Sequence, residues 1–313
     1  MKRILLIGGG GFVGRHLAAV LTQRGHLVFA ADRPCAAAGN ASLLPMDLAD
    51  GASLRGVLEK VRPDVIFHLA AQSMVPLSWQ EPTATFDTNV TGSIRLFDAA
   101  CDIVPAARFI FIGSGEEYGT TCDAEHPFEE SSVCAPRNPY ATSKFSAGLI
   151  LENLAGRRGT DFIHLRPFNH FGPGQREGFV VADFAAQVAR IEAGLQPPVM
   201  RIGCLEVQRD LSFVSDVIAA YALAAEAERH EFTIYNICSG VPRKIRDVLD
   251  VLLSCSGAKI RTEVDPARYR KPENPVLFAS HARFSSEFGW KPEVPFEDGI
   301  RRTLEFWRGK VSA

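Results

Sequence analysis

Residues 2–14 read KRILLIGGGGFVG, and this stretch decides the fold. The apolar run at residues 4–7 is short and uninterrupted, which is typical of a buried parallel strand. Gly8, Gly11 and Gly14 follow it, and the apolar residues beyond them recur at helical spacing. A strand, a glycine-rich turn and a helix in this order predict the opening of a dinucleotide-binding βαβ unit.

Each glycine of the turn has its own physical reason. Gly8 makes the tight turn, Gly11 lets the backbone approach a pyrophosphate, and Gly14 lets the helix pack close to the strand. The N–H groups at the start of the helix then face the phosphates. The spacing is one residue longer than the G-x-G-x-x-G form, so a merely flexible glycine turn is the alternative.

The second strand pattern, at residues 27–31, ends in Asp32, which lies 18 residues after Gly14. A carboxylate at about this distance accepts hydrogen bonds from the ribose hydroxyls of NAD. It would repel a 2′-phosphate, so the sequence favours NAD(H). Arg33 could partly accommodate that phosphate, which leaves NADP(H) as the alternative coenzyme.

Composition narrows the class of protein. The 313 residues are 46% hydrophobic and 22% charged, as in an ordinary globular protein, and the net charge of −2 gives no reason to expect a nucleic-acid partner. No apolar run approaches the length of a membrane span, and the first strand begins too early for a signal peptide. The seven cysteines are scattered without CxxC spacing, so we expect reduced thiols, a cytoplasmic location and no metal site.

Several further strand patterns end in small or polar residues, where ligands bind in sheets of this kind. His68, inside such a strand, is more simply explained as a hydrogen-bonded core histidine than as a ligand. The candidates are Asp47 and Leu48 beside an adenine ring, Ala70 and Ala71 beside a nicotinamide ribose, and Ser73 in the same crevice.

The chemistry is concentrated in two segments. Ser114 and Glu116 follow the strand pattern at residues 109–113, although a polar loop with a capping serine is the simpler alternative. Tyr140 and Lys144 lie four residues apart, on one face of a predicted helix. A free tyrosine has a pKa near 10, and we expect the Lys144 ammonium to lower it for proton exchange. Lys144 could also hold the nicotinamide ribose.

Together these residues make the chain resemble the extended short-chain dehydrogenases/reductases that act on nucleotide sugars, over nearly its whole length. The segments that carry the resemblance are HLAAQSMV (68–75), TNVTGS (88–93), SGEEYG (114–119), PYATSK (139–144), RPFN (166–169) and RDLSFVSD (209–216). RPFNHFGPGQ (166–175), residues 178–194, PPVMRIG (197–203) and YNICSG (235–240) are similar, more narrowly, to the GDP-6-deoxy-D-mannose reductases.

The resemblance implies an α/β fold, a Rossmann-type doubly wound parallel sheet with a smaller, interleaved C-terminal α/β substrate domain. Residues 1–170 and about 205–240 would bind the dinucleotide, and about 171–204 and 241–313 the nucleotide sugar. The last part of the chain otherwise looks short and irregular. Helices around residues 82–101 and 140–157 would form the four-helix bundle of a homodimer.

The resemblance also implies roles for single residues. Ser114 would hydrogen-bond the sugar oxygen, Tyr140 would be the acid/base, and Lys144 would orient the ribose and tune the tyrosine. The other implied contacts are Asn169, Arg209 and Arg270 to the substrate, near its diphosphate, and Phe12, Val13, Leu69 and Pro167 to the coenzyme.

The implied reaction is reduction of the 4-keto group of a GDP-4-keto-6-deoxyhexose by NAD(P)H. Two related reactions stay open, 4-epimerisation and 4,6-dehydration. The related dehydratases carry an acidic or hydroxyl residue where this chain has Gly115, but Glu116, their base, remains. The alternative that is not an enzyme is a binding protein that senses a dinucleotide without catalysis. Such a protein would not need the combination of Ser114, Tyr140 and Lys144.

Overall fold

The computed structural model describes residues 1–33, 43–119, 126–266 and 275–312. The strands are β1 (Arg3–Ile7), β2 (Leu27–Asp32), β3 (Leu43–Pro45), β4 (Val65–His68), β5 (Arg108–Ile112), β6 (Phe162–Pro167), β7 (Asn169–Phe171), β8 (Val199–Ile202), β9 (Gln208–Phe213), β10 (Ile234–Ile237), β11 (Pro242–Lys244), β12 (Arg261–Val264) and β13 (Val276–Leu277). The helices are α1 (Phe12–Gln23), α2 (Gly51–Val61), α3 (Val75–Gln80), α4 (Pro82–Phe86), α5 (Gly92–Ile103), α6 (Pro139–Arg158), α7 (Val180–Glu192), α8 (Val214–Glu226), α9 (Ile245–Ser254), α10 (Ala282–Phe288) and α11 (Phe296–Ser312).

Seven strands form one sheet in the order β10-β6-β5-β4-β1-β2-β3. All of its neighbouring strands are parallel. The order reverses between β1 and β4, and ligands bind at the carboxyl ends of the strands beside such a reversal. The predicted Rossmann-type doubly wound sheet is therefore confirmed.

Helices cover both faces of this sheet, as parallel strands require. On one face, β1 and its neighbours pack with α1, α7 and α8 in a core that includes Leu6, Phe67 and Tyr221. On the other face, α2, α5 and α6 enclose a second core around Phe97 and Phe109. The sheet is therefore buried on both faces, and its carboxyl edge is the place left for a ligand.

The last part of the chain is more regular than the sequence indicated. Residues 241–312 contain α9, α10 and α11 and short strands, of which β11 and β13 flank β9. Strand β7 also pairs with β9, and β12 pairs with β8 in a separate two-stranded sheet. Strands β11, β12 and β13 are two to four residues long, too short for a period-two pattern to be recognised in the sequence.

The helix predicted at residues 82–101 is interrupted. Between α4 and α5, residues Asp87–Thr91 form one π-helical turn that contains the buried Asn89. Single π turns inside helices are frequently found at functional sites. Of the described helices, none is long and apolar enough to cross a membrane.

Candidate active site

The glycine turn between β1 and α1 has the geometry predicted for it. Gly8 has a φ of +86°, and a Cβ built on it would lie 2.7 Å from the backbone nitrogen of Ala70. A Cβ on Gly14 would lie 2.6 Å from the Cα of Gly9, so only glycine allows α1 to start so close to the turn. Gly11 is the N-cap of α1 and offers no side-chain acceptor to the helix N–H groups. This cradle fits a dinucleotide pyrophosphate, because the N–H groups in the first turn of α1 have no partner within the helix and are available to phosphate oxygens.

Asp32 lies at the end of β2, directly beside this turn. Its Oδ2 accepts a hydrogen bond of 3.0 Å from the Gly10 N–H, and its Oδ1 accepts one of 2.8 Å from the Arg33 N–H. The first bond fixes the carboxylate at the carboxyl edge of the sheet, where an adenosine ribose would lie.

The other coenzyme candidates lie along the same edge. Leu69 donates its N–H to the Ile7 carbonyl (2.9 Å), and Ala70 and Ala71 follow it. Asp47 accepts the Ala49 N–H (2.8 Å), and the Leu48 side chain is buried against Gly92. Both residues therefore also stabilise the local structure. The remaining candidates on this edge are Phe12 and Val13 in the first turn of α1, Ser73 after β4 and Pro167 at the end of β6.

His68, as expected, is a core residue. Its Nε2 lies 2.7 Å from the Ser93 hydroxyl, and burial lowers its pKa to about 3, so the ring is neutral.

Helix α6 carries both Tyr140 and Lys144. It starts at the Asn138-Pro139 pair, because the Asn138 Oδ1 accepts the Ala141 N–H at 2.8 Å and proline suits the first helical position. Lys144 is buried, its Nζ donates to the Ile112 carbonyl at 2.6 Å, and the ammonium lies 4.9 Å from the centre of the Phe111 ring. The helix therefore brings Tyr140 and Lys144 to the end of β5, as predicted.

The pKa of Tyr140 is not lowered as expected. Burial is the main cause that raises it, to about 12, with a smaller rise from the charges of Glu116 and Glu117, while a side-chain hydrogen bond with Ser114 lowers it. Burial also lowers the pKa of Lys144 to about 8. The Tyr140 hydroxyl is thus protonated at neutral pH and is able to donate its proton. Ser114 forms a hydrogen bond with this hydroxyl.

Ser114 and Glu116 lie on a single 3₁₀ turn, Gly115–Tyr118, that follows β5. The Ser114 Oγ accepts the Glu116 N–H at 3.2 Å, so the capping role offered as the simpler alternative is also real. Glu116 accepts a hydrogen bond of 3.4 Å from the Asn138 Nδ2, at the start of α6. The turn therefore places a hydroxyl and a carboxylate beside Tyr140.

A buried network supports this turn from behind, and sequence reasoning missed it. Glu117 accepts hydrogen bonds from the Ser114 N–H (2.8 Å) and the Arg166 Nε (2.9 Å), and His164 Nε2 lies 3.2 Å away. Arg166 also donates to the Tyr118 hydroxyl at 3.0 Å. Two adjacent glutamates in a polar loop gave no signal that only one of them faces the site.

Asn89 was missed as well, although it ties two parts of the site together. Its Nδ2 donates to the Ser143 Oγ (2.9 Å) and to the Gln72 carbonyl (3.0 Å), and its Oδ1 accepts the Gln72 N–H (2.8 Å). The π turn thus connects the segment after β4 to α6. The signals in the sequence were a polar residue in an amphipathic helix pattern and its place in TNVTGS (88–93), and neither indicated a role for it.

The substrate candidates lie on the far side of the crevice. Asn169 is exposed at the start of β7, and it pairs with Leu211 of β9. Arg209, two residues before Leu211, is half-buried; burial lowers its pKa, and the charge of Glu116 raises it. The structure therefore brings Arg209 within the electrostatic reach of Glu116, while Arg270 lies outside the described residues.

Comparison with known proteins gives a family match over most of the chain. The family model described as GDP-mannose 4,6 dehydratase matches residues 5–303. GDP-6-deoxy-D-mannose reductase from Pseudomonas aeruginosa is 36% identical over 314 aligned residues, which cover 99% of this chain and 98% of the relative.

Two solved structures superimpose on nearly the whole chain. RMD from Pseudomonas aeruginosa, complexed with NADPH, has a TM-score of 0.86 at 33% identity, covering 98% of this chain and 99% of the other. UDP-glucose 4-epimerase from Thermus thermophilus, in complex with NAD, has a TM-score of 0.86 at 28% identity with the same coverage. The fold is therefore shared by proteins that bind either coenzyme.

Proposed function

Since this chain belongs to the GDP-mannose 4,6-dehydratase family of extended short-chain dehydrogenases/reductases, we propose that it reduces the 4-keto group of a GDP-4-keto-6-deoxyhexose with NAD(P)H. The full-length similarity to GDP-6-deoxy-D-mannose reductase supports this reaction within the family. A bound nicotinamide dinucleotide supplies the hydride, and the residues around it position the sugar and supply the proton.

The observation that carries the proposal is the placement of Tyr140 beside Ser114 at the end of β5, on the same helix as Lys144. A carbonyl that accepts hydride becomes an alkoxide, and it needs a proton from a group that still holds one at neutral pH. Tyr140 meets this requirement, because an ordinary tyrosine already has a pKa near 10 and burial raises that of Tyr140 to about 12. Ser114 hydrogen-bonds the same sugar oxygen and stabilises the charge that develops there. Lys144 holds the ribose of the nicotinamide next to them.

The surroundings of Gly115 argue against dehydration. A Cβ built on Gly115 would lie 2.8 Å from the ring of Phe168. This chain therefore has no second acid at this position, and the Phe168 ring leaves little room for one, while Glu116 remains available as a base. Epimerisation is the second candidate, because Glu116, Ser114 and Tyr140 would suffice for it and the epimerase from Thermus thermophilus has this fold.

The chain uses a nicotinamide dinucleotide, and we propose that NAD(H) is favoured. The charge of Asp32, fixed by the Gly10 N–H at the ribose position, opposes a 2′-phosphate. The exposed Arg33 supports NADP(H) as the alternative, and the Pseudomonas RMD structure holds NADPH.

For the substrate, we propose that Asn169 and Arg209 contact the diphosphate of the GDP sugar. A guanidinium binds phosphate oxygens through charge-assisted hydrogen bonds. Arg270 would add a second cation. The position of β10 in the main sheet supports a return of the chain to the proposed dinucleotide domain within residues 205–240, whereas β9, in the same range, pairs with β7, β11 and β13 in the smaller sheet.

We also propose a cytoplasmic homodimer. Exposed apolar side chains on α3 and α6 support the dimer, because Trp79 is 53% and Leu149 is 49% exposed. An apolar surface on neighbouring helices suits a helix bundle with a second copy.

Coenzyme turnover tests the proposed function. The purified protein should oxidise one NAD(P)H per GDP-4-keto-6-deoxymannose and should leave GDP-mannose with NAD(P)⁺ unchanged. Absorbance of the reduced nicotinamide, together with product analysis, reports both reactions. Formation of a 4-keto sugar from GDP-mannose without net coenzyme change would replace reduction by dehydration.

A further inference from the structure

We propose that Glu117 is a positioning residue of the reduction: its carboxylate, buried behind the site, fixes Ser114 and holds a negative charge next to Tyr140 and Lys144. The inference rests on the proposed reductase function, which gives Ser114, Tyr140 and Lys144 their catalytic roles. The contacts of Glu117 in the structure do not depend on that function. Glu116, the adjacent glutamate, faces the crevice and has a separate role.

The contacts of Glu117 leave its carboxylate no freedom. It is fully buried and accepts hydrogen bonds from the Ser114 N–H at 2.8 Å and the Arg166 Nε at 2.9 Å. The His164 Nε2 lies 3.2 Å from it. Hydrogen bonds of this kind to an ionised acceptor are about twice as strong as neutral ones. The backbone of Ser114 is therefore held in place by a buried carboxylate.

Two glycines make room for this pair of side chains. A Cβ on Gly113 would lie 2.2 Å from the His164 Nε2 and 2.3 Å from the Glu117 Oε1. A Cβ on Gly148, one helical turn beyond Lys144 on α6, would lie 2.4 Å from the His164 Cε1. His164 is thus packed between the end of β5 and α6, and Glu117, through His164, links the serine turn to the helix that carries Tyr140 and Lys144.

The charge of Glu117 reaches both of these catalytic candidates. Burial alone would raise the pKa of Glu117, but His164 and Arg166 outweigh burial and lower it, so the carboxylate is ionised at neutral pH. This charge raises the pKa of Lys144, which burial lowers. It also raises the pKa of Tyr140, in the same direction as burial.

The charged and titratable groups around Glu117 come from every neighbouring element. His164 and Arg166 face it from β6, Tyr118 and Glu116 belong to its own turn, Cys134 lies in the following loop, and Tyr140 and Lys144 face it from α6. On the other side of Lys144, His68 is neutral and adds no charge. Removing the Glu117 charge should therefore let the Lys144 ammonium lose its proton at lower pH.

Two substitutions separate the two parts of the role. Glu117→Gln keeps an oxygen for the Ser114 N–H but removes the charge. Glu117→Asp keeps the charge but is one methylene shorter, so it withdraws the acceptor from Ser114. Glu130→Gln is the matched control, because Glu130 is also a buried carboxylate, pairs with Arg283, and accepts the Asn236 N–H at 2.8 Å.

The first measurement is the affinity for reduced coenzyme, followed by nicotinamide fluorescence between pH 6 and 9.5. In the wild type, affinity should fall as the pH rises through about 8, where Lys144 loses its proton. In Glu117→Gln this fall should occur at lower pH, and in Glu117→Asp and Glu130→Gln it should not move. An unmoved fall in Glu117→Gln, or an equal movement in Glu130→Gln, would overturn the electrostatic part.

The second measurement is steady-state reduction at pH 6, below that fall. Glu117→Asp should lose about 10- to 100-fold in kcat with little change in KM, since small misplacements of a catalytic group cost this much. Wild-type kcat in a folded Glu117→Asp protein would overturn the positioning part, and this variant decides the proposal if Glu117→Gln does not fold. Coenzyme binding needs no sugar, so a wild type that binds coenzyme but leaves the keto sugar unreduced would refute the proposed function alone.

Discussion

Replacing Tyr140 by phenylalanine removes one hydroxyl and leaves the ring in place. That hydroxyl makes a side-chain hydrogen bond with Ser114, so its loss should change the free energy of unfolding by only about 1 kcal/mol. Its chemical role is larger. With a pKa of about 12, only about one tyrosine in 10⁵ is ionised at pH 7, so nearly every molecule holds the proton that the alkoxide needs.

General acid catalysis contributes roughly 10²- to 10⁴-fold, which corresponds to about 2.7–5.4 kcal/mol of activation free energy. Turnover of Tyr140→Phe should fall by that factor, while its affinity for coenzyme should barely change. Stopped-flow oxidation of reduced coenzyme measures the first quantity and fluorescence titration the second.

Tyr221→Phe is the matched control. The Tyr221 hydroxyl is fully buried and has no hydrogen-bond partner among the described residues. Its removal should leave turnover intact, and it should not lower the melting temperature, since a buried unsatisfied hydroxyl is unfavourable. If Tyr140→Phe kept more than about a tenth of the wild-type turnover, well short of the range above, Tyr140 would not be the proton donor.

Three further substitutions test other parts of the site. Asp32→Ala should shift the coenzyme preference towards NADPH, because it removes a charge that opposes the 2′-phosphate; a wild type that already prefers NADPH by tenfold, about 1.4 kcal/mol, would contradict the role of Asp32. Lys144→Ala should weaken coenzyme binding and turnover together, and unchanged binding in a direct titration would remove Lys144 from the ribose site. Gly115→Ser should destabilise the fold by about 1–3 kcal/mol in denaturant titrations, because its side chain meets the Phe168 ring, and Phe168→Leu should restore part of this loss.

The sequence was most informative where local chemistry and backbone geometry coincide. A buried strand, glycines without room for a Cβ and an acidic residue at the end of β2 predicted the dinucleotide cradle, and the spacing of Tyr140 and Lys144 predicted their common helix. These features follow from short-range rules, so one chain is enough to read them.

What the sequence could not predict depends on contacts between distant segments. Glu117 and Glu116 are adjacent and chemically identical, and only the packing of β6 behind the turn decides which is buried. The rise in the pKa of Tyr140 likewise comes from burial, which no spacing between Tyr140 and Lys144 reports. The π turn around Asn89 depends on its hydrogen bonds to Gln72 and Ser143.

The central claim is that hydride ends on the sugar in each turnover. The direct test uses NAD(P)H with deuterium at nicotinamide C4, on the face that is transferred, together with GDP-4-keto-6-deoxymannose. Our account predicts one deuterium at C4 of the product sugar and one oxidised coenzyme released per molecule of product. A product sugar without deuterium at C4, or a coenzyme that ends the reaction still reduced, would contradict it.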